Sequence, residues 1–186
     1  MTPNEFANRC IRCLADGGHA VDIVRLTRQA SIWQRENRDV WGKNELLHCS
    51  DDLMIVDLTL PPFATSPVHE HKTWAVIGIS EGCEIDELFE ERGARLGWSA
   101  RHELRAGDVL ELGPDCIHFI GNPSATARRG IHVYGRNLAR RSGACGTLRP
   151  ARPRPWISRC SKSGNGFSRR GARPMLRSSL LPSIQR

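Results

Sequence analysis

Between residues 46 and 134 the chain breaks into eight short segments of strand-like content, at 46–49, 54–60, 68–80, 83–90, 98–104, 108–112, 117–121 and 130–134. Gly, Pro, Asp and Asn punctuate them, as turns between strands require. Many short strands at close spacing leave few ways to satisfy their edges, and an antiparallel barrel or jelly roll is the expected outcome. The segments upstream read differently. Residues 4–15 carry Phe6, Cys10, Cys13 and Leu14 near helical spacing and stop at Gly17-Gly18, and residues 20–30 carry Val21, Ile23, Val24 and Leu26. The sequence therefore predicts a mainly β barrel behind a short helical N-terminal segment. The polar stretch 31–43, with Trp33 and Trp41, has no clear period.

The third segment carries the chemistry. It runs Ser66-Pro67-Val68-His69-Glu70-His71-Lys72-Thr73-Trp74-Ala75-Val76-Ile77-Gly78. Side chains alternate faces along a strand, so His69 and His71 are expected on one face, about 7 Å apart. Two imidazoles so placed can share a metal ion, and His118 downstream can supply a third ligand. Three histidines leave coordination positions open, as a catalytic metal needs. The competing reading makes each an ordinary surface or hydrogen-bonded core histidine. Two on one face of an apolar strand weigh against it, because burying both without a partner is costly. Glu70 alternates to the opposite face and is expected not to ligate.

Charge separates the chain into two parts. Twelve of the 27 Lys+Arg residues lie in 140–186, which has no Asp or Glu. The remaining 15 basic residues face 20 acidic ones, so residues 1–139 carry −5 although the whole chain carries +7. The basic character thus belongs to a tail rich in Arg, Ser, Gly and Pro, which lacks the apolar content to offset chain entropy and is expected to be disordered. A nucleic-acid role for this tail is conceivable, but a solvated tail is the simpler expectation. No run approaches the roughly 20 apolar residues of a membrane span. The N-terminus shows no signal-peptide pattern, and a cytoplasmic protein is expected. Seven cysteines, an odd number irregularly spaced, fit free thiols better than a disulfide framework. Cys10 and Cys13 form a lone CxxC on the first helix, where packing is the expected role rather than redox chemistry.

The His-x-His segment followed by Trp74-Ala75-Val76-Ile77-Gly78 resembles the first motif of cupins, and more narrowly the thiol dioxygenases of the cysteine dioxygenase and 3-mercaptopropionate dioxygenase family. Gly107, His118 and Asn122 fall in frame with the second cupin motif, and Gly130-Ile131-His132-Val133-Tyr134 resembles the family's Ser-x-His-x-Tyr element. Leu46-Leu47-His48-Cys49 resembles an upstream strand, so the likeness covers roughly residues 44–138. It implies a cupin domain with N-terminal helices over 1–138, a double-stranded β-helix, ahead of the tail at 139–186.

The resemblance implies a mononuclear Fe(II) held by His69, His71 and His118. Many cupins add a glutamate at the positions of Ala75 and Val76, so a three-histidine site follows here. The implied reaction joins a small thiol and O2 into a sulfinic acid. Tyr134 would point its hydroxyl toward the reacting oxygen and His132 would orient it. Asn44, helped by Lys43, aligns with the family's substrate-carboxylate position. This chain departs from the pattern in three places. Gly130 replaces the family's serine, Gly113-Pro114-Asp115 replaces the usual turn, and Val76 stands where the animal enzymes carry a crosslinking cysteine. Cys116 is placed on the face of His118, where core packing is its expected role. Two other classes stay open on the residues alone: a non-catalytic cupin that binds a metal or small ligand, and another metal-dependent cupin enzyme such as an isomerase.

Overall fold

A computed structural model describes residues 1–41 and 45–138. Lys43, Asn44 and the tail at 139–186 lie outside them. Two helices precede the strands. Helix α1 (Pro3–Ala15) starts at a capping box, in which the Thr2 hydroxyl accepts from the Glu5 backbone N–H and the Glu5 carboxylate accepts from the Thr2 N–H. Helix α2 spans Ala20–Glu36, six residues beyond the expected end. Its inward face explains the discrepancy. Ile23 is followed there by Thr27, Ala30, Ser31 and Gln34, all buried, so the helix buries polar groups where an apolar period would have announced it.

Among the described residues nine strands follow: β1 (Glu45–Cys49), β2 (Met54–Leu60), β3 (His69–Glu70), β4 (Ala75–Glu81), β5 (Cys83–Arg92), β6 (Arg95–Arg105), β7 (Val109–Leu112), β8 (Ile117–Gly121) and β9 (Arg128–Tyr134). They form two antiparallel sheets, β1-β2-β9-β4-β7 and β3-β8-β5-β6. From β2 onward the chain passes back and forth between the sheets, with β5 and β6 the one consecutive pair kept in the same sheet. That order is a jelly roll, the double-stranded β-helix of cupins. The predicted fold class therefore holds.

One predicted strand does not. The stretch 68–80 divides into β3 and β4, which belong to different sheets. The chain turns between them at Lys72, whose φ of 54° places it in the left-handed region. His71 lies just past the end of β3, so strand alternation is not what brings it beside His69.

The larger sheet is covered on both faces, which is why β4 and β9 are buried almost throughout. Its outer face packs under the helices in a cluster that includes Phe6, Cys10, Ile23, Trp41, Ile55, Val76, Ile131 and Val133. Its inner face meets the smaller sheet through Ala75, Ile77, Ile79, Leu104, Leu112 and Tyr134. Cys10 lies in the outer cluster and Cys13 packs against it. Burial pushes the Cys10 thiol up to about 12, so it behaves as a small apolar side chain. No helix among the described residues is long and apolar enough to cross a membrane.

Candidate metal centre

His69 and His118 are directly opposite each other across the β3–β8 pair, with ring centroids 4.6 Å apart. His71 reaches them from the turn, its centroid 4.7 Å from His69 and 5.1 Å from His118. One nitrogen from each ring lies within 4.8 Å of the others. Three points no farther apart than that share a centre within about 2.8 Å of each, near the roughly 2.1 Å of a metal–imidazole bond. Nε2 of His71 and Nε2 of His118 are 3.0 Å apart. Two bonds of about 2.1 Å at a right angle give the same separation.

The far side of the rings decides which nitrogens are offered. Nδ1 of His69 donates to the Pro67 carbonyl at 2.9 Å, which leaves Nε2 for a metal. Nδ1 of His118 contacts Oδ1 of Asp86 at 2.9 Å, a carboxylate–histidine pair that is fully buried. Such a partner fixes the ring's tautomer and makes the ligating nitrogen a better donor. The loop that carries His69 is itself tied to β8: Ser66 N donates to the Ile120 carbonyl at 2.9 Å, and the Ser66 hydroxyl accepts from Ile120 N at 3.0 Å.

Ligation requires neutral imidazoles, and burial favours that form at His69 and His71. Burial lowers the His71 pKa to about 3, with His69 and His118 adding repulsion. Burial also lowers His69, against the opposing pull of the Pro67 carbonyl. The donor set fits a metal ion that prefers nitrogen ligands and retains open positions. Glu70 points away and pairs with Lys72 at 2.7 Å. Ala75 and Val76 offer no ligand. Val76 faces the helices while Tyr134 faces the interior, so position 76 is on the wrong side of β4 for a crosslink to that tyrosine.

Tyr134 stands beside the histidines, its ring 4.7 Å from that of His71, and its hydroxyl is 3.1 Å from Nδ1 of His132. Both are buried. Cys116 packs near Tyr134 in the interior cluster, and burial followed by the Asp86 charge raises its thiol pKa. Asn122 closes a corner: its amide nitrogen donates to the carbonyls of Leu60, Pro61 and Thr126 at 3.1, 3.1 and 2.8 Å. The proposed carboxylate contact, Asn44, lies outside the described residues.

Sequence reasoning missed Asp86, Glu84 and Arg128, all three fully buried inside the barrel. In Cys83-Glu84-Ile85-Asp86, alternation would send the acidic residues to solvent and Ile85 inward. The usable signal was on β9, where Arg128 shares its face with Gly130, His132 and Tyr134 at a period of two.

No protein-family model matches the chain. Among solved structures it is similar to an RmlC-like cupin family protein with a double-stranded β-helix fold from Methanocaldococcus jannaschii, at 17% identity, covering 54% of this chain and 84% of that one, with a TM-score of 0.42. It is also similar to a mutant oxalate decarboxylase of Bacillus subtilis, at 20% identity and a TM-score of 0.40, over 47% of this chain and 22% of that one. An oxalate oxidase in complex with glycolate is similar at 17% identity and a TM-score of 0.40, over 46% and 42%. The fold assignment rests on strand order, not on these likenesses. The described chain is a jelly-roll barrel that gathers three histidines able to hold a metal ion.

Proposed function

We propose that this chain is an Fe(II)-dependent thiol dioxygenase that converts a small thiol, of the cysteine or 3-mercaptopropionate type, to its sulfinic acid with O2. The observation that carries this reading is the buried Tyr134 hydroxyl, held by His132, beside an all-imidazole donor set. His69, His71 and His118 would hold the iron(II), which would supply open coordination positions for a thiolate and O2.

The reaction closes without a further reductant. Both atoms of O2 go to one sulfur, which loses four electrons while O2 gains four, and the thiol proton leaves to solvent or to the product. The chain's own residues do the rest. His69, His71 and His118 would hold the metal, and Asp86 holds His118 in place. Tyr134 offers a hydroxyl proton where negative charge develops on oxygen, which is where a fixed donor contributes most. Asn44 remains the residue proposed for the substrate carboxylate. The reading places the protein in the reducing cytoplasm, where thiols stay available, with a thiol and O2 as its partners and no membrane or nucleic acid.

The test is metal analysis of the purified protein, followed by oxygen uptake with a panel of small thiols. Iron at about one per chain with thiol-dependent uptake is expected. A metal-loaded protein that consumes no oxygen with any thiol would turn the reading toward a metal-binding cupin without oxygenase activity, or another cupin enzyme such as an isomerase.

A further inference from the structure

Tyr134 and His132 are the visible end of a longer buried chain of contacts. Along the inner face of β9, Nη2 of Arg128 lies 2.7 Å from Nε2 of His132. Nη1 of the same guanidinium donates to the Leu58 carbonyl at 3.0 Å, and Glu84 forms an ion pair with Nη2. Arg128, Glu84 and His132 are all essentially without solvent exposure.

Arginine has only donors. Against it, Nε2 of His132 must therefore be the acceptor, and a neutral ring then carries its proton on Nδ1. That Nδ1–H donates to the Tyr134 oxygen at 3.1 Å. The tyrosine's own proton is left to donate elsewhere, on the side where its ring meets His71. The ring does stay neutral, since burial and then the Arg128 charge hold His132 well below its ordinary value. Burial lowers Arg128 to about 9, still a cation at neutral pH.

Gly130 lies between Arg128 and His132 on the same face of β9. A Cβ there would sit 2.6 Å from the Gly78 carbonyl oxygen, so the close approach of β4 requires the glycine, while Nη1 of Arg128 at 3.4 Å is in ordinary contact range.

We propose that Arg128, anchored by Glu84, is a positioning residue that fixes His132 as the Nδ1–H tautomer and thereby turns the Tyr134 hydroxyl proton toward the three-histidine centre. The use of that proton rests on the dioxygenase reading, whereas the tautomer does not.

The test is long-range ¹H–¹⁵N correlation of the histidine rings in the full, metal-free chain, with His132 assigned by His132→Gln. The parent is expected to show His132 protonated on Nδ1. A parent protonated on Nε2 overturns the proposal whatever any variant does. Arg128→Met combined with Glu84→Gln, which leaves no buried charge unpaired, is expected to shift His132 to the Nε2–H form or a mixture. An unchanged Nδ1–H ring in a folded double variant would also overturn it, because the arginine would not be setting the tautomer. With iron restored, the double variant should lose about 10- to 100-fold in kcat, as outer partners of metal sites do, at unchanged iron content and thiol KM. Absence of oxygen uptake in the parent would sink the dioxygenase reading alone, and the ring spectrum would still decide the role of Arg128.

Discussion

Asp86 shows how one residue can matter without touching substrate or metal. Its carboxylate holds Nδ1 of His118 at 2.9 Å, so Asp86→Asn should weaken metal binding about 10- to 100-fold, read by competition against a chelator of known affinity. Unchanged affinity would mean that β8 alone orients His118. Tyr134→Phe separates catalysis from binding. Removing a donor that acts where charge develops costs roughly 100- to 1000-fold in rate, whereas the three histidines should keep their iron. The assay is oxygen uptake per bound iron with the best thiol, and a mutant at the parent's rate would remove Tyr134 from the mechanism. The three-histidine cluster was legible in the sequence because His-x-His and a later histidine have few other uses in apolar strands. Asp86, Glu84 and Arg128 were not, because charged side chains that alternate with apolar ones normally face water. Here Glu84 meets Arg128, and Asp86 meets His118, inside the barrel.

At the scale of elements, turn residues marked most of the strands, and β2 and β8 lie where their segments were drawn. The break between β3 and β4 was not. His71-Lys72-Thr73-Trp74 has no Gly, Pro or Asn, and its reversal depends on a lysine in the left-handed region that composition does not announce. The second half of α2 was hidden for a related reason: it packs on β4 through small polar residues. A Cβ at Gly78 would sit 2.6 Å from both the Ser31 hydroxyl oxygen and Cγ2 of Thr27. The helix rides on the strand at that glycine. Gly78→Ala should therefore force α2 away from β4 and cost about 1–3 kcal/mol, the usual range for overpacking. Urea unfolding measures it, and a variant as stable as the parent would show that the helix shifts freely.

At the scale of the whole molecule, two clusters on either side of the larger sheet hold the fold, and Leu138 packs against the inner one. A chain ended at residue 139 should melt within a few degrees of the full chain, because the sequence of 140–186 is basic and rich in Arg, Ser, Gly and Pro rather than in apolar residues. Insoluble or non-cooperative protein would assign part of the core to residues 140–186. Acid stability follows from the interior histidines. His71 is held near 3 and His132 well below its ordinary value, in both cases first by burial. In the unfolded chain both titrate near 6.5. Above that pH neither state binds a proton and the fold is at full stability. As pH falls below it, the unfolded chain takes up protons that the folded chain refuses, and stability declines at up to about 1.4 kcal/mol per pH unit for each such histidine. The loss continues until the folded values are reached. The metal-free protein should therefore melt at progressively lower temperature from pH 7 to pH 5. Added Fe(II) should raise the melting temperature at pH 7, since it binds the histidines gathered in the folded chain and not the unfolded one. A melting temperature flat across this range, metal-free, would mean that His71 and His132 are protonated in the fold, and His71 could not then be claimed as a ready ligand.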